Sequence, residues 1–157
     1  MIPRMAGPYL ARPVAWSAAR GWRDWLRRAL RPPAGALRGQ GDRRTGLADE
    51  AECRERLAEA LSLATRQGWH VGVLVIDLRG FRQMNETLGR AGGDTVLEML
   101  GARLRGTVRR EDTVARLGAD RFAVVQTGLT DVEGAALLAS RLHGVLSLPF
   151  VLNGGQV

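Results

Sequence analysis

The sequence predicts an α/β (α+β) domain, a central antiparallel or mixed sheet with flanking helices, and three observations lead to it. The run His70–Asp77 is apolar almost throughout, as expected of a central strand covered on both faces. Residues 113–126 read as strand, tight turn and strand, with Gly118, Ala119, Asp120 and Arg121 in the turn. Around them, apolar residues recur three and four apart, the period of helices laid on a sheet.

The elements follow in order. Asp49 with Glu52 three residues on forms a capping box; Leu57, Ala60, Leu61 and Ala64 give one apolar face, and Gly68 stops that helix. The strand His70–Asp77 comes next, its first residue a surface histidine rather than a ligand, since no other His lies before His143. Two helices are expected, over 81–88 and 94–105, the second burying Val96, Leu97, Leu100 and Leu104. After the hairpin, Asp131 caps a helix carrying Ala135, Leu138, Leu142 and Val145, and residues 149–152 start an extended segment.

A chain of 157 residues with 45% hydrophobic and 25% charged content suits one globular domain. The net charge of +7 is concentrated at the start: residues 1–44 hold ten Arg against Asp24 and Asp42, so residues 45–157 are close to neutral. The organisation read from this is a basic leader over 1–41 and a folded domain over 42–157. Within the leader, Trp22, Trp25, Leu26, Ala29 and Leu30 give residues 14–31 an amphipathic helical pattern ringed by Arg, suited to a membrane surface or a partner chain. The domain has no basic stripe interleaved with aromatics, which excludes a nucleic-acid partner. The single Cys53 cannot form an internal disulfide, and no run reaches the length of a membrane span, so a cytoplasmic setting is expected.

Two carboxylates stand at strand ends, Asp77 and Asp120. Such acids could share a Mg²⁺ that brings substrate phosphates with it, or be an ordinary strand terminus and a solvated turn. The neighbouring blocks decide what they resemble: Thr45-Gly46-Leu47, Val75 to Arg82, Asn85 to Gly89, Gly93-Asp94 and Asp112 to Phe122 occur in order and at the spacing of the GGDEF family of diguanylate cyclase domains. The signature itself is altered, to Gly118-Ala119-Asp120-Arg121-Phe122.

The resemblance implies a ferredoxin-like nucleotidyl-cyclase palm whose last strand and helix have no counterpart in these residues, with Pro149 to Val157 leading towards them. It makes Asp77, the Leu78 carbonyl and Asp120 the metal ligands, with Mg²⁺ as the cation if nucleotide binding is retained. It makes Gly118 and Ala119 the phosphate loop, Asp120 and the altered Arg121 the catalytic positions, Asn85 and Asp94 the guanine readers, and Arg109 with Asp112 an inhibitory product site. Taken singly, Asn85 also reads as a solvated helix residue, Asp94 as a helix N-cap, and Arg109 to Asp112 as a solvated turn. Active members pair two domains, each with one GTP, to make cyclic di-GMP; a homodimer and GTP or cyclic di-GMP are thus the implied partners. Arg121 replaces an acid, Ala119 the second Gly, Arg79 the second acid of Asp-x-Asp, and Arg90 a common His. These departures point to a degenerate binding module, with an active cyclase and an interaction domain as the alternatives.

Overall fold

The computed structural model describes Arg27, residues 40–152 and the backbone of residues 155–156. The amphipathic pattern over 14–31 lies outside the described residues, apart from Arg27, which is helical. The elements are α1 (Glu50–Gln67), β1 (His70–Asp77), α2 (Phe81–Thr107), β2 (Thr113–Arg116), β3 (Arg121–Leu129), α3 (Glu133–Leu146), β4 (Val151–Leu152) and β5 (Gly155–Gln156). Local chemistry sets several boundaries. Asp49 Oδ1 accepts the Glu52 N–H at 2.8 Å to cap α1, and Gly68 ends it at φ 71°, a left-handed angle that a Cβ disfavours. Asp131 Oδ1 accepts the Gly134 N–H at 3.0 Å and so caps α3, although helical geometry begins two residues later.

The main sheet is antiparallel in the order β1-β3-β2. Its register splits the side chains between two faces. Leu74 and Ile76 of β1 lie beside Val124 and Phe122 of β3, and these pack with Val114, Val96, Leu97, Leu100, Leu104, Leu138 and Leu142. Val71 and Val73 share the opposite face with Ala115, Ala123, Val125 and the α1 residues Cys53, Leu57 and Ala60. The result is three layers, with α1 on one side of the sheet and α2 with α3 on the other. Phe122, Leu97, Leu100 and Leu104 are fully enclosed, each contributing about 1.5–3 kcal/mol of burial.

One expectation needs correction and two are refined. The centre of the sheet is β3, buried from Phe122 to Gln126, whereas β1, expected to be covered on both faces, has only Gly72 fully buried and one neighbouring strand among the described residues. The helices expected as 81–88 and 94–105 are both present, parted by a break at Gly89, where φ 70° and ψ 169° leave helical geometry; the second starts earlier than expected and runs to Thr107, and the pair is labelled together as α2. The extended segment after Pro149 forms its own two-stranded hairpin, Val151 opposite Gln156, outside the main sheet.

The other edge of the sheet is covered by the chain entering α1. Ala48 bridges Ala115 in parallel; its N–H donates to the Val114 carbonyl at 3.2 Å, and its carbonyl accepts the Arg116 N–H at 2.8 Å. Leu47, just before it, is almost wholly buried in the core.

Candidate functional site

The turn joining β2 to β3 is closed by the Leu117 N–H donating to the Arg121 carbonyl at 2.8 Å. It is tied to the end of β1, since the Leu78 N–H donates to the Asp120 carbonyl at 3.0 Å. The Arg116 guanidinium holds the turn from beneath, donating to the Ala119 carbonyl at 2.8 Å while pairing with Asp42 at 3.3 Å. Gly118 is not among the glycines with positive φ, and a Cβ there would meet nothing within 4 Å. Left-handed backbone at Gly118 is therefore not what shapes this hairpin.

Asp77 and Arg121 are cross-strand partners in the register, and the Arg121 guanidinium donates to Asp77 Oδ2 at 3.3 Å. The structure thus brings Asp77, Leu78, Asp120 and Arg121 to one end of the sheet. The donor set does not fit a resident divalent cation. The Asp77 carboxylate already faces a fixed positive charge, and no three His, Cys, Asp or Glu side chains gather around a common point among the described residues.

Asn85 meets Gly93, the residue before Asp94, across the Gly89 break. In one straight helix, residues nine apart, as Asn85 and Asp94 are, would face opposite sides, about 180° out of phase. Instead, the Asn85 amide rests against the Cα of Gly93, where an added Cβ would collide with Asn85 Oδ1. Gly92 is as tightly placed, its would-be Cβ 2.6 Å from Leu88 Cβ. The glycine pair, which reads as a loop, is a close-contact surface between the two halves of α2. Asp94 lies inside the helix, so the N-cap reading fails, and its carboxylate pairs with Arg44. Gly93→Ala is expected to lower stability by about 1–3 kcal/mol through overpacking. Thermal unfolding checks this, and a stabilised variant would show that Asn85 swings aside without cost.

Asp112 is buried and both its oxygens serve the backbone: Oδ2 accepts the Arg109 N–H at 3.0 Å and Oδ1 the Thr127 N–H at 3.2 Å. That removes the solvated-turn reading for Asp112, whose part is to fix the bend before β2. Arg109 itself is exposed beside a groove of about 1060 Å³ between α1, residues 40–48 and the α2–β2 connection, where Arg56, Arg105 and Arg110 also lie.

Sequence reasoning missed Asp42, Arg44 and Arg116 as parts of this region. Asp42 and Arg116 are 74 positions apart, and no local pattern links them. Burial works to raise the Asp42 pKa, but the Thr45 hydroxyl and N–H, donating to Oδ2 at 2.6 and 2.8 Å, and the Arg116 charge outweigh it and hold it below the ordinary carboxylate value. A depressed folded-state pKa stabilises above the unfolded value and is lost as pH falls through the folded one. Asp42→Asn should therefore be less stable than the parent at neutral pH, with the gap closing below about pH 4. Urea titrations at both pH values measure it, and a gap independent of pH would overturn the assignment. The Cys53 thiol is wholly buried near Glu50, Glu52 and Asp49, and burial above all raises its pKa to about 12, so it is no nucleophile.

Comparison with known proteins gives a consistent result. The family described as diguanylate cyclase, GGDEF domain, matches residues 40–157. The diguanylate cyclase TpbB of Pseudomonas aeruginosa is 38% identical over 115 residues, covering 73% of this chain and 26% of that protein. The chain thus spans about a quarter of the length of this curated relative. The solved GGDEF domain of TpbB superposes with TM-score 0.72 at 37% identity, covering 74% of this chain and 69% of that one. A sensory box/GGDEF family protein from Caulobacter crescentus gives TM-score 0.71 at 35% identity, covering 74% and 76%.

Proposed function

The chain belongs to the GGDEF domain family of cyclic di-GMP signalling and has its nucleotidyl-cyclase palm fold, and from that premise we propose that it is a regulatory module that binds a guanine nucleotide without cyclising it. Asn85 and Asp94 read the guanine edge, the amide by donating and accepting, the carboxylate by accepting from ring N–H and amino groups. The Arg44 pair on Asp94 yields to the base when it enters. The turn over Gly118 and Ala119 receives the phosphates beside Asp77, Asp120 and Arg121. The family generally uses Mg²⁺, and the observation that carries the non-cyclising reading is the Arg121 guanidinium seated on Asp77. Within the described residues no helix is long and apolar enough to cross a membrane; the module works on the cytoplasmic side, where these nucleotides are, with residues 14–31 available to a membrane surface and a second copy as its partner.

A cyclic di-GMP sensor role is favoured by one further observation, the exposed Arg109 beside the groove with its backbone held by Asp112. Calorimetric titration of the full chain tests both readings. GTP bound without turnover supports the module, and binding of neither nucleotide removes it. Cyclic di-GMP is expected to bind more tightly than GTP. Arg109→Ala should weaken cyclic di-GMP at least about tenfold while leaving GTP unchanged. Equal cyclic di-GMP binding by that variant would take Arg109 out of the account.

A further inference from the structure

We propose that Arg121 is a built-in counter-ion that lets this turn hold nucleotide phosphates with no divalent cation; the inference rests on the nucleotide-binding reading above. The register sets Arg121 directly opposite Asp77, and the pair stands at 3.3 Å with the two side chains 29% and 35% exposed. It is neither a loose surface contact nor a sealed one. Backbone bonds on both sides fix it: the Arg121 carbonyl closes the hairpin, and the Asp120 carbonyl is tied to Leu78. The charge is therefore positioned at the strand ends before any ligand arrives, as a bound metal would be.

The second guanidinium at the turn is already engaged: Arg116 pairs with Asp42 and reaches the Ala119 carbonyl, which leaves Arg121 as the charge that faces Asp77. A divalent cation entering between the Asp77 and Asp120 carboxylates would meet like charge from Arg121 and would have to displace it from Asp77. An incoming phosphate meets the opposite situation. A guanidinium presents its N–H groups in a planar fork that matches phosphate oxygens, and a phosphate carrying more charge than one carboxylate competes well for it. Arg121 then passes from Asp77 to the ligand without leaving the turn.

The test is GTP and guanosine binding to the full chain by calorimetry, with excess EDTA and with millimolar Mg²⁺. GTP is expected to bind in EDTA within about threefold of its affinity in Mg²⁺ and more tightly than guanosine. Arg121→Gln should weaken GTP in EDTA at least about tenfold and leave guanosine unchanged; Arg121→Glu should make GTP binding depend on Mg²⁺. If either variant fails to fold, the parent chain in the two buffers decides alone. GTP held only in Mg²⁺, or guanosine bound with GTP no tighter in EDTA, overturns the counter-ion and leaves nucleotide binding standing. No binding of GTP or guanosine in either buffer overturns both.

Discussion

Incubated with GTP and Mg²⁺, the chain is expected to make no cyclic di-GMP above background. Joining two GTP molecules requires stabilisation of the charge that builds on the attacked α-phosphate, and positioning of a second nucleotide against it. Loss of one preorganised electrostatic group of this kind costs about 10²–10³ in rate. Here the change goes further than a loss, since Arg121 puts a positive charge on Asp77 where the resemblance implies a third acid. Ala119 adds a Cβ to the loop that would take the phosphates. Synthesis below about a thousandth of that of a competent relative is therefore expected. Chromatography of the reaction products measures it, and robust synthesis by the unmodified chain would overturn the reading.

Arg103→Ala is expected to be strongly destabilising although the residue lies outside the hydrophobic core. From α2, the Arg103 guanidinium donates to the Val145 carbonyl at 3.3 Å, to Leu148 at 2.5 Å and to Pro149 at 2.6 Å, and it stacks over the Phe150 ring at 3.9 Å. It thereby satisfies the Val145 carbonyl in the last turn of α3 and two carbonyls of the segment that follows the helix, and adds a positive charge where that helix's dipole is negative. Hydrogen bonds from charged groups are worth about 1.5–3 kcal/mol each, but the site is partly wet and the terms overlap, so a loss of about 2–3 kcal/mol is expected. That corresponds to a fall in Tm of roughly 4–10 °C for a chain of this size. Arg103→Lys should recover less than half of it, because an ammonium cannot reach several carbonyls and a ring face together. Thermal and urea unfolding of the two variants decide the matter; an unchanged midpoint for the Ala variant would show the clamp to be idle.

What could be read from the residues was whatever is local. Asp49, Gly68 and Asp131 announce helix ends because a cap acts on its own next few residues. Asp77, Asp120, Asn85 and Asp94 were found through the spacing of blocks that the resemblance supplied, and the register then brought the first two to one end of the sheet. What escaped was decided at long range or by contact. The Arg116–Asp42 and Arg103–Pro149 bonds join residues 74 and 46 positions apart. The close packing at Gly92 and Gly93 escaped for a related reason: a glycine needed for close approach cannot be told from one needed for a turn until its neighbour is known.

The Gly89 break sets the kind of change this region can tolerate. Each residue added to or removed from the stretch between Gly89 and Gly93 would turn everything beyond it by about 100° and shift it by about 1.5 Å. Asp94 would leave the side of α2 where Asn85 meets Gly93, and the hydrophobic stripe of Val96, Leu97, Leu100 and Leu104 would rotate off the sheet with it. A substitution at the exposed Arg90 disturbs neither. A point change at Arg90 is therefore expected to leave the fold intact, whereas an insertion or deletion between Gly89 and Gly93 is expected to unseat Asp94 and the hydrophobic stripe together.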